Sequence, residues 1–293
     1  MKPETFTLEM NDGASIIARH YSKPGALRLF ITHGNGFAVD GYRIFWEPLL
    51  ADFDVVLYDM RNHGLNPSAG GDGHHYRQFS QDITTIYEGV TQRIGKAESI
   101  GIFHSMSSRS AMKNAVELGS PFDKLVLFDP PSVPPRGHAL YEAMQSFEIK
   151  LINWATSRRD RFASPDELEA EYSAARASSK WLPQARADMA KAVLQPDPEG
   201  GFRLSCQREL EAVIYLQALS LDLWPSAEQL KVPALLVGAD PDGDGAPPTG
   251  PANRALAQEG GYTYHGMKGT GHLLQIEQPE RCRDVLYDFI AGR

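Results

Sequence analysis

Residues 98–108 read Glu-Ser-Ile-Gly-Ile-Phe-His-Ser-Met-Ser-Ser, and this stretch is the most informative about the fold of the chain. An apolar strand pattern ends at Phe103, a short turn follows, and residues 106–118 have the apolar spacing of a helix. A strand, a sharp turn and a helix in this order hold the hydroxyl of Ser105 above the end of a sheet. Ser105 is therefore a candidate nucleophile, although a serine that only caps the helix would fit the same stretch.

The sequence on both sides of this stretch alternates between strand and helix patterns. A predicted hairpin with an Asp12-Gly13 turn comes first, and helical patterns separate the later strands. The predicted strands are Thr5–Met10, Ser15–Tyr21, Leu27–Thr32, Asp54–Tyr58, Glu98–Phe103, Lys124–Phe128, Val232–Val237 and Gly261–His265. This order predicts an α/β fold with a mostly parallel eight-stranded sheet and helices on both of its faces.

A long insertion interrupts the alternation after the sixth strand. Residues 137–230 show only helical or irregular patterns and no convincing strand. We therefore expect a core of residues 1–130 and 231–293, with residues 131–230 forming a helical cap. Aromatic side chains are frequent in this segment, and we expect most of them to fasten the cap to the core.

His272 is the second candidate for chemistry, because it follows the last predicted strand in Gly-Thr-Gly-His, residues 269–272. A histidine at that edge of the sheet can reach Ser105 and act as its general base. An acid would orient the imidazole, and the strand ending at Val237 leads into Gly-Ala-Asp-Pro-Asp, residues 238–242.

A glycine-rich loop, His-Gly-Asn-Gly-Phe at residues 33–37, follows the third strand. Its small residues allow a tight turn that presents backbone N–H groups to the site. We expect the N–H groups of Asn35 and Met106 to form an oxyanion hole. A glycine-rich turn without any ligand would have the same sequence.

Four segments together resemble the α/β-hydrolase superfamily: His-Gly-Asn-Gly-Phe at 33–37, Asp-Met-Arg-Asn-His-Gly-Leu-Asn at 59–66, Phe-His-Ser-Met-Ser-Ser at 103–108 and Gly-Thr-Gly-His at 269–272. The resemblance covers nearly the whole chain, with the insertion at the family's usual cap position. It implies Ser105 as nucleophile, His272 as base, and Asn35 and Met106 as oxyanion donors. It also implies that neither a metal nor an organic cofactor takes part.

The chain departs from the family pattern at the turn around the nucleophile and at the acid. Phe103 and Ser107 occupy the positions of the two glycines in Gly-x-Ser-x-Gly, and we expect the bulky Phe103 to rearrange this turn locally.

The acid has three candidates, because the family's usual position is Pro241 in this chain. Asp240 and Asp242 flank that proline, and Asp129 follows the sixth strand, where a minority of lipase-like members carry their acid. We prefer Asp240, with Asp129 and Asp242 as the alternatives; an aspartate that is not the acid is expected to cap a turn or helix.

Other polar residues near these motifs are expected to be structural. We interpret Asp59 and Arg61 as a local ion pair, and we expect His104 to point away from the nucleophile. His74 and His75 are adjacent but have no third ligand nearby, so they predict no metal site.

Composition restricts the partners of the chain. The 293 residues carry a net charge of −8, which argues against nucleic acid because phosphate backbones require a basic face. No apolar run approaches the length of a membrane span, and the first 13 residues contain no signal-like apolar segment, so we expect a cytoplasmic protein. A homodimer is compatible with this composition.

These residues together predict hydrolysis of a small carboxylic ester, a lactone or a thioester through a Ser-His-Asp triad and an acyl-enzyme. On the same fold, C–C bond hydrolysis and cofactor-free perhydrolysis are the alternatives. A binding protein that keeps the fold without catalysis is the alternative from another class.

Overall fold

The strands of the computed structural model, which describes residues 2–293, include all eight predicted for the core. The strands are β1 (Glu4–Glu9), β2 (Ser15–Tyr21), β3 (Arg28–Ile31), β4 (Asp54–Tyr58), β5 (Ser99–His104), β6 (Lys124–Phe128), β7 (Arg161–Phe162), β8 (Leu194–Pro196), β9 (Phe202–Leu204), β10 (Ala234–Gly238) and β11 (Thr263–Gly266).

The helices lie between these strands and after the last of them, and none formed by residues 2–293 is long and apolar enough to cross a membrane. They are α1 (Arg43–Trp46), α2 (Tyr76–Ile94), α3 (Met106–Glu117), α4 (Tyr141–Ser157), α5 (Pro165–Ala174), α6 (Pro183–Ala192), α7 (Arg208–Ala218), α8 (Ala227–Leu230), α9 (Thr249–Gly260), α10 (Leu274–Glu277) and α11 (Pro279–Ile290).

One eight-stranded sheet has the order β1-β2-β4-β3-β5-β6-β10-β11. The β1–β2 and β2–β4 pairs are antiparallel, and the other neighbours are parallel. The predicted α/β-hydrolase fold, with its mostly parallel eight-stranded sheet, is therefore confirmed. The parallel strands β3, β5, β6, β10 and β11 all end at one edge, where the candidate residues lie.

Apolar side chains cover both faces of the sheet. On β5, Ile102 packs into one cluster of buried residues while the next residue, Phe103, packs into the other. Successive side chains of a strand point to opposite faces, so a strand buried on both faces requires an uninterrupted apolar run. This requirement explains why the central strands could be recognised in the sequence.

The segment between β6 and β10 contains α4 to α8 and a small antiparallel sheet in the order β7-β9-β8. The expectation that it holds no strand is therefore wrong. Each of the three strands has only two or three residues, too few for alternation to be visible in a sequence. The division into a core and a cap at residues 131–230 stays a prediction.

Candidate active site

Ser105 occupies a strained turn between β5 and α3. Its backbone has φ 55° and ψ −117°, and a positive φ is costly for a residue with a side chain. Ser107 stabilises the turn, because its hydroxyl donates to the His104 carbonyl (2.9 Å) and accepts from the His104 N–H (3.0 Å). The turn also continues the sheet, since the Ser105 N–H donates to the Phe128 carbonyl at 2.9 Å.

The Phe103 ring is accommodated because a glycine lies two residues earlier on the same strand. A Cβ placed on Gly101 would lie 2.5 Å from the Phe103 ring and 2.8 Å from the ring of Phe122. The two phenyl rings pack edge to face, with centroids 5.7 Å apart. The glycine missing at position 103 is thus compensated at position 101, on the same face of β5.

His272 joins Ser105 to an aspartate. Its Nε2 lies 2.8 Å from the Ser105 Oγ, and its Nδ1 lies 2.6 Å from Asp129 Oδ2. Because Asp129 can only accept when ionised, Nδ1 carries the proton and Nε2 is free to accept the hydroxyl proton of Ser105. The predicted nucleophile and base are therefore in hydrogen-bond contact.

Asp129 is fully buried and receives four hydrogen bonds. Besides His272, its donors are the Ala239 N–H (2.8 Å), the Asn253 side-chain amide (2.8 Å) and the Thr249 hydroxyl (2.7 Å). Its φ of 41° lies in the left-handed region and turns the chain sharply at the end of β6. Four donors stabilise the ionised carboxylate and fix the orientation of the imidazole.

Asp240 and Asp242 have other partners, so the preference for Asp240 as the partner of His272 requires correction. Asp240 accepts from the N–H groups of Gly269 (2.7 Å) and Asp242 (3.0 Å), and thereby fastens the loop that leads to His272. Asp242 is exposed and pairs with Arg254 at 2.6 Å. Asp240 thus caps a turn, and the identity of the catalytic acid stays a prediction.

Gly34 allows the glycine-rich loop after β3 to approach the nucleophile. A Cβ at this position would lie 3.0 Å from the Ser105 Cβ and 2.8 Å from His104 Nδ1. Only glycine fits such an approach.

Asn35 and Met106, the predicted oxyanion donors, follow Gly34 and Ser105. Within the described chain neither backbone N–H donates to a protein acceptor, and Met106 is the first residue of α3, where amides lack an intrahelical partner. Free N–H groups at these two positions are compatible with an oxyanion hole, which stays a prediction.

Two neutral histidines hold this loop. His33 Nε2 accepts from the Met60 N–H at 3.0 Å, and His63 Nε2 accepts from the Gly36 N–H at 3.1 Å. Each Nδ1 donates to a backbone carbonyl. Burial lowers the pKa of His33 to about 4, and burial, followed by the proximity of His33, lowers that of His63 to about 3. Both rings therefore stay neutral, as their hydrogen bonds require.

The expected Asp59–Arg61 ion pair is absent from the described residues. Arg61 pairs instead with Asp82 (2.7 Å) and Asp12 (2.7 Å), while Asp59 accepts from the N–H groups of Val39 and Leu65. Both partners of Arg61 are distant in sequence, so local spacing could not identify them.

The ring of His104, which was expected to point away from Ser105, lies beside His272. The ring centroids are 4.9 Å apart, and His104 Nε2 donates to the His272 carbonyl at 2.9 Å. Tyr42 donates to His104 Nδ1 at 2.8 Å. The sequence did not indicate either contact, because Tyr42 has no motif around it.

Helix α7 of the insertion lies directly over the glycine-rich loop. The Asn35 side-chain amide donates to the Glu211 carbonyl at 2.8 Å, and the Glu211 carboxylate occupies the space that a Cβ on Gly36 would need. Glu211 is 1% exposed and pairs with Arg158 at 3.0 Å. A buried ion pair of the insertion therefore rests on the loop that carries the predicted oxyanion donor.

Helix α4 forms a second buried ion pair at the site. Glu148 pairs with Arg109 of α3, which also contacts Tyr76 (3.1 Å) and the Pro131 carbonyl. Beside it, Phe147 places its ring centroid 6.4 Å from that of His272.

No group of three or more His, Cys, Asp or Glu side chains in residues 2–293 is arranged to hold a metal ion. His74 instead stacks on His63 and lies 3.0 Å from the amide of Asn62.

Comparisons with known proteins agree with the fold. The profile of the alpha/beta hydrolase family matches residues 29–285. The esterase YbfF of Escherichia coli (strain K12) is 31% identical over 101 residues, which cover 34% of this chain and only 37% of that protein's length. The hydrolase YugF of Bacillus subtilis (strain 168) is 22% identical over 289 residues, 95% of each chain.

Among solved structures, E-2-(acetamidomethylene)succinate hydrolase superposes with a TM-score of 0.78 at 18% identity, over 99% of both chains. At this identity the likeness concerns the fold alone.

Proposed function

The chain belongs to the alpha/beta hydrolase family, and from this membership and the geometry of the site we propose that it is a serine hydrolase of carboxylic esters. One observation carries the proposal: the hydrogen-bonded series from Ser105 Oγ to His272 to Asp129, with distances of 2.8 and 2.6 Å. A serine hydroxyl needs an adjacent base and an oriented imidazole to become a nucleophile at neutral pH.

In the proposed reaction, Ser105 Oγ bonds to the ester carbonyl carbon while its proton moves to His272 Nε2. The N–H groups of Asn35 and Met106 stabilise the negative oxygen of the tetrahedral intermediate. The C–O bond to the alcohol then breaks, and His272 returns the proton to the leaving alkoxide oxygen. A water molecule, deprotonated by His272, repeats these steps on the acyl-enzyme and releases the acid.

Asp129 acts through His272 in this mechanism. It holds Nδ1 protonated and stabilises the imidazolium that forms in each transition state, without taking up the proton itself. Lactones and thioesters would form the same acyl-enzyme, so they belong in the substrate panel beside simple esters.

The proposal is tested by reaction with a fluorophosphonate probe and by hydrolysis of short p-nitrophenyl esters. We expect a phosphonyl adduct on Ser105 in the peptide mass spectrum, which Ser105→Ala abolishes and His272→Ala strongly slows. Hydrolysis should fall by about 10³-fold or more in the same variants. If the unaltered protein neither reacts with the probe nor cleaves any ester, lactone or thioester, the non-catalytic binding protein becomes the better account.

A further inference from the structure

His104 connects the three loops of the site, although they come from three different strands. Its ring lies between Gly34, in the loop after β3, and His272, in the loop after β11, and its backbone precedes Ser105. A Cβ on Gly34 would lie only 2.8 Å from His104 Nδ1, so ring and loop are in direct contact.

The direction of each hydrogen bond around His104 is fixed by chemistry. The His272 carbonyl can only accept, so His104 Nε2 carries the proton (2.9 Å). The buried ring is neutral because burial, followed by the proximity of His272, lowers its pKa well below the ordinary value. Nδ1 therefore accepts from the Tyr42 hydroxyl at 2.8 Å, and the Tyr42 oxygen accepts from the Gly34 N–H at 3.4 Å.

The result is a one-directional series from the Gly34 N–H through Tyr42 and His104 to the His272 carbonyl. Tyr42 and His104 are both fully buried, so no water competes for these bonds. The series holds the backbone of His272, whereas Asp129 holds its side chain. Both are needed to define the position of Nε2 relative to the Ser105 oxygen.

We propose that His104 is a positioning residue, which fixes the backbone of His272, and with it the Ser105–His272 distance, through its Nε2–H. The inference rests on the proposed function, in which His272 takes the proton of Ser105. Proton transfer requires a donor–acceptor distance of about 2.6–3.2 Å. A displacement of about 1 Å can cost about 10²-fold in rate.

Two amide substitutions separate positioning from simple packing. In His104→Gln the side-chain NH₂ reaches the position of the imidazole Nε2, and can still donate to the His272 carbonyl. In His104→Asn the amide reaches only the position of Nδ1, and the carbonyl loses its donor. Both variants are neutral and polar, and they differ by one methylene group.

We expect His104→Asn to lower kcat for a p-nitrophenyl ester by about 10- to 100-fold, with KM changed less than about threefold. The rate of fluorophosphonate labelling should fall by a similar factor, and His104→Gln should recover most of both. Tyr42→Phe should lower kcat by a smaller factor, because it removes the contacts of the Tyr42 hydroxyl to His104 Nδ1 and to the Gly34 N–H but keeps the bond from His104 Nε2 to the His272 carbonyl. Equal kcat values for the Gln and Asn variants, both folded by circular dichroism, would overturn the proposal.

A spectroscopic measurement keeps the test independent of turnover. The proton between His272 Nδ1 and Asp129 Oδ2, which are 2.6 Å apart, should give a low-field proton NMR signal. This signal should be retained in Ser105→Ala. We expect His104→Asn to shift or broaden this signal and His104→Gln to leave it in place; an unchanged signal in His104→Asn would contradict the inference. If the signals behave as expected while the unaltered protein is inactive, the positioning role stands and the proposed function fails.

Discussion

His63 is fully buried, and the titration of its imidazole makes the free energy of unfolding depend on pH. Its pKa is about 3 in the folded protein and near 6.5 in the unfolded chain. Between these values the unfolded chain binds a proton that the folded protein does not. Folding stability must therefore decrease as the pH falls below 6.5.

We expect this contribution to disappear in His63→Gln, which cannot titrate. The stability advantage of the unaltered protein over the variant should shrink by about 1.4 kcal/mol for each pH unit between 6.5 and 4. Urea unfolding at several pH values measures the free energy of unfolding of both proteins. The difference between the two values removes the effect of all other titrating groups. A constant difference across this range would mean that His63 is protonated in the folded protein.

At the scale of single residues, the sequence was sufficient to expect Ser105 and His272 to meet, because each follows a strand within a motif. It could not decide among the aspartates. Asp129 and Asp240 follow β6 and β10, which are adjacent parallel strands, so both lie at the same edge of the sheet. Only the donors around Asp129, including Thr249 and Asn253, distinguish them, and no motif marks those residues.

Strand β5 depends on the pairing of Gly101 with Phe103. We expect Gly101→Ala to destabilise the protein by about 1–3 kcal/mol, because the added methyl group would force apart two packed phenyl rings. Ester hydrolysis should fall too, since the displaced Phe103 lies two residues before Ser105. Denaturant unfolding measures the first effect.

Gly71→Ala is the matched control, because a Cβ there would make only an ordinary contact of 3.5 Å. Gly101→Ala should cost less in a Phe103→Ala background than in the unaltered protein, because one of the two rings that the methyl group displaces is then absent. A Gly101→Ala protein as stable as the control would show that Phe103 is accommodated in another way.

At the scale of elements, the central strands were predictable because burial on both faces requires an uninterrupted apolar run. The half-exposed strands β1 and β2 were predictable from the Asp12-Gly13 turn between them. The strands β7, β8 and β9 were not, because pairing of two or three residues arises from the surrounding fold rather than from a periodic sequence. The accommodation of the Phe103 ring was not predictable either, because it depends on Gly101, which lies outside the family motif.

For the whole molecule, the buried Arg158–Glu211 pair links the insertion to the site. We expect Arg158→Leu to destabilise the protein by about 3–5 kcal/mol, because it leaves the buried Glu211 carboxylate without its charged partner. The neighbouring Arg159 is 41% exposed and pairs with Glu167 at the surface. Arg159→Leu should therefore cost less than about 1 kcal/mol.

Urea unfolding of the two variants measures how much stability is lost at each of these adjacent positions. Activity is a second measurement, since Glu211 lies against Gly36 in the predicted oxyanion loop. We expect Arg158→Leu to lower kcat and Arg159→Leu to leave it unchanged. Equal stability of the two variants would mean that the buried Arg158–Glu211 pair contributes no more to stability than the exposed pair of Arg159.

The position of the acid is the central claim, and one measurement tests it most directly: kcat/KM for a p-nitrophenyl ester in Asp129→Asn and Asp240→Asn. We predict a loss of about 10³- to 10⁴-fold for Asp129→Asn, because an amide cannot hold His272 in the required tautomer. Asp240→Asn, which alters only a turn, should lose less than about tenfold. A greater loss in Asp240→Asn than in Asp129→Asn, with both proteins folded, would contradict the account.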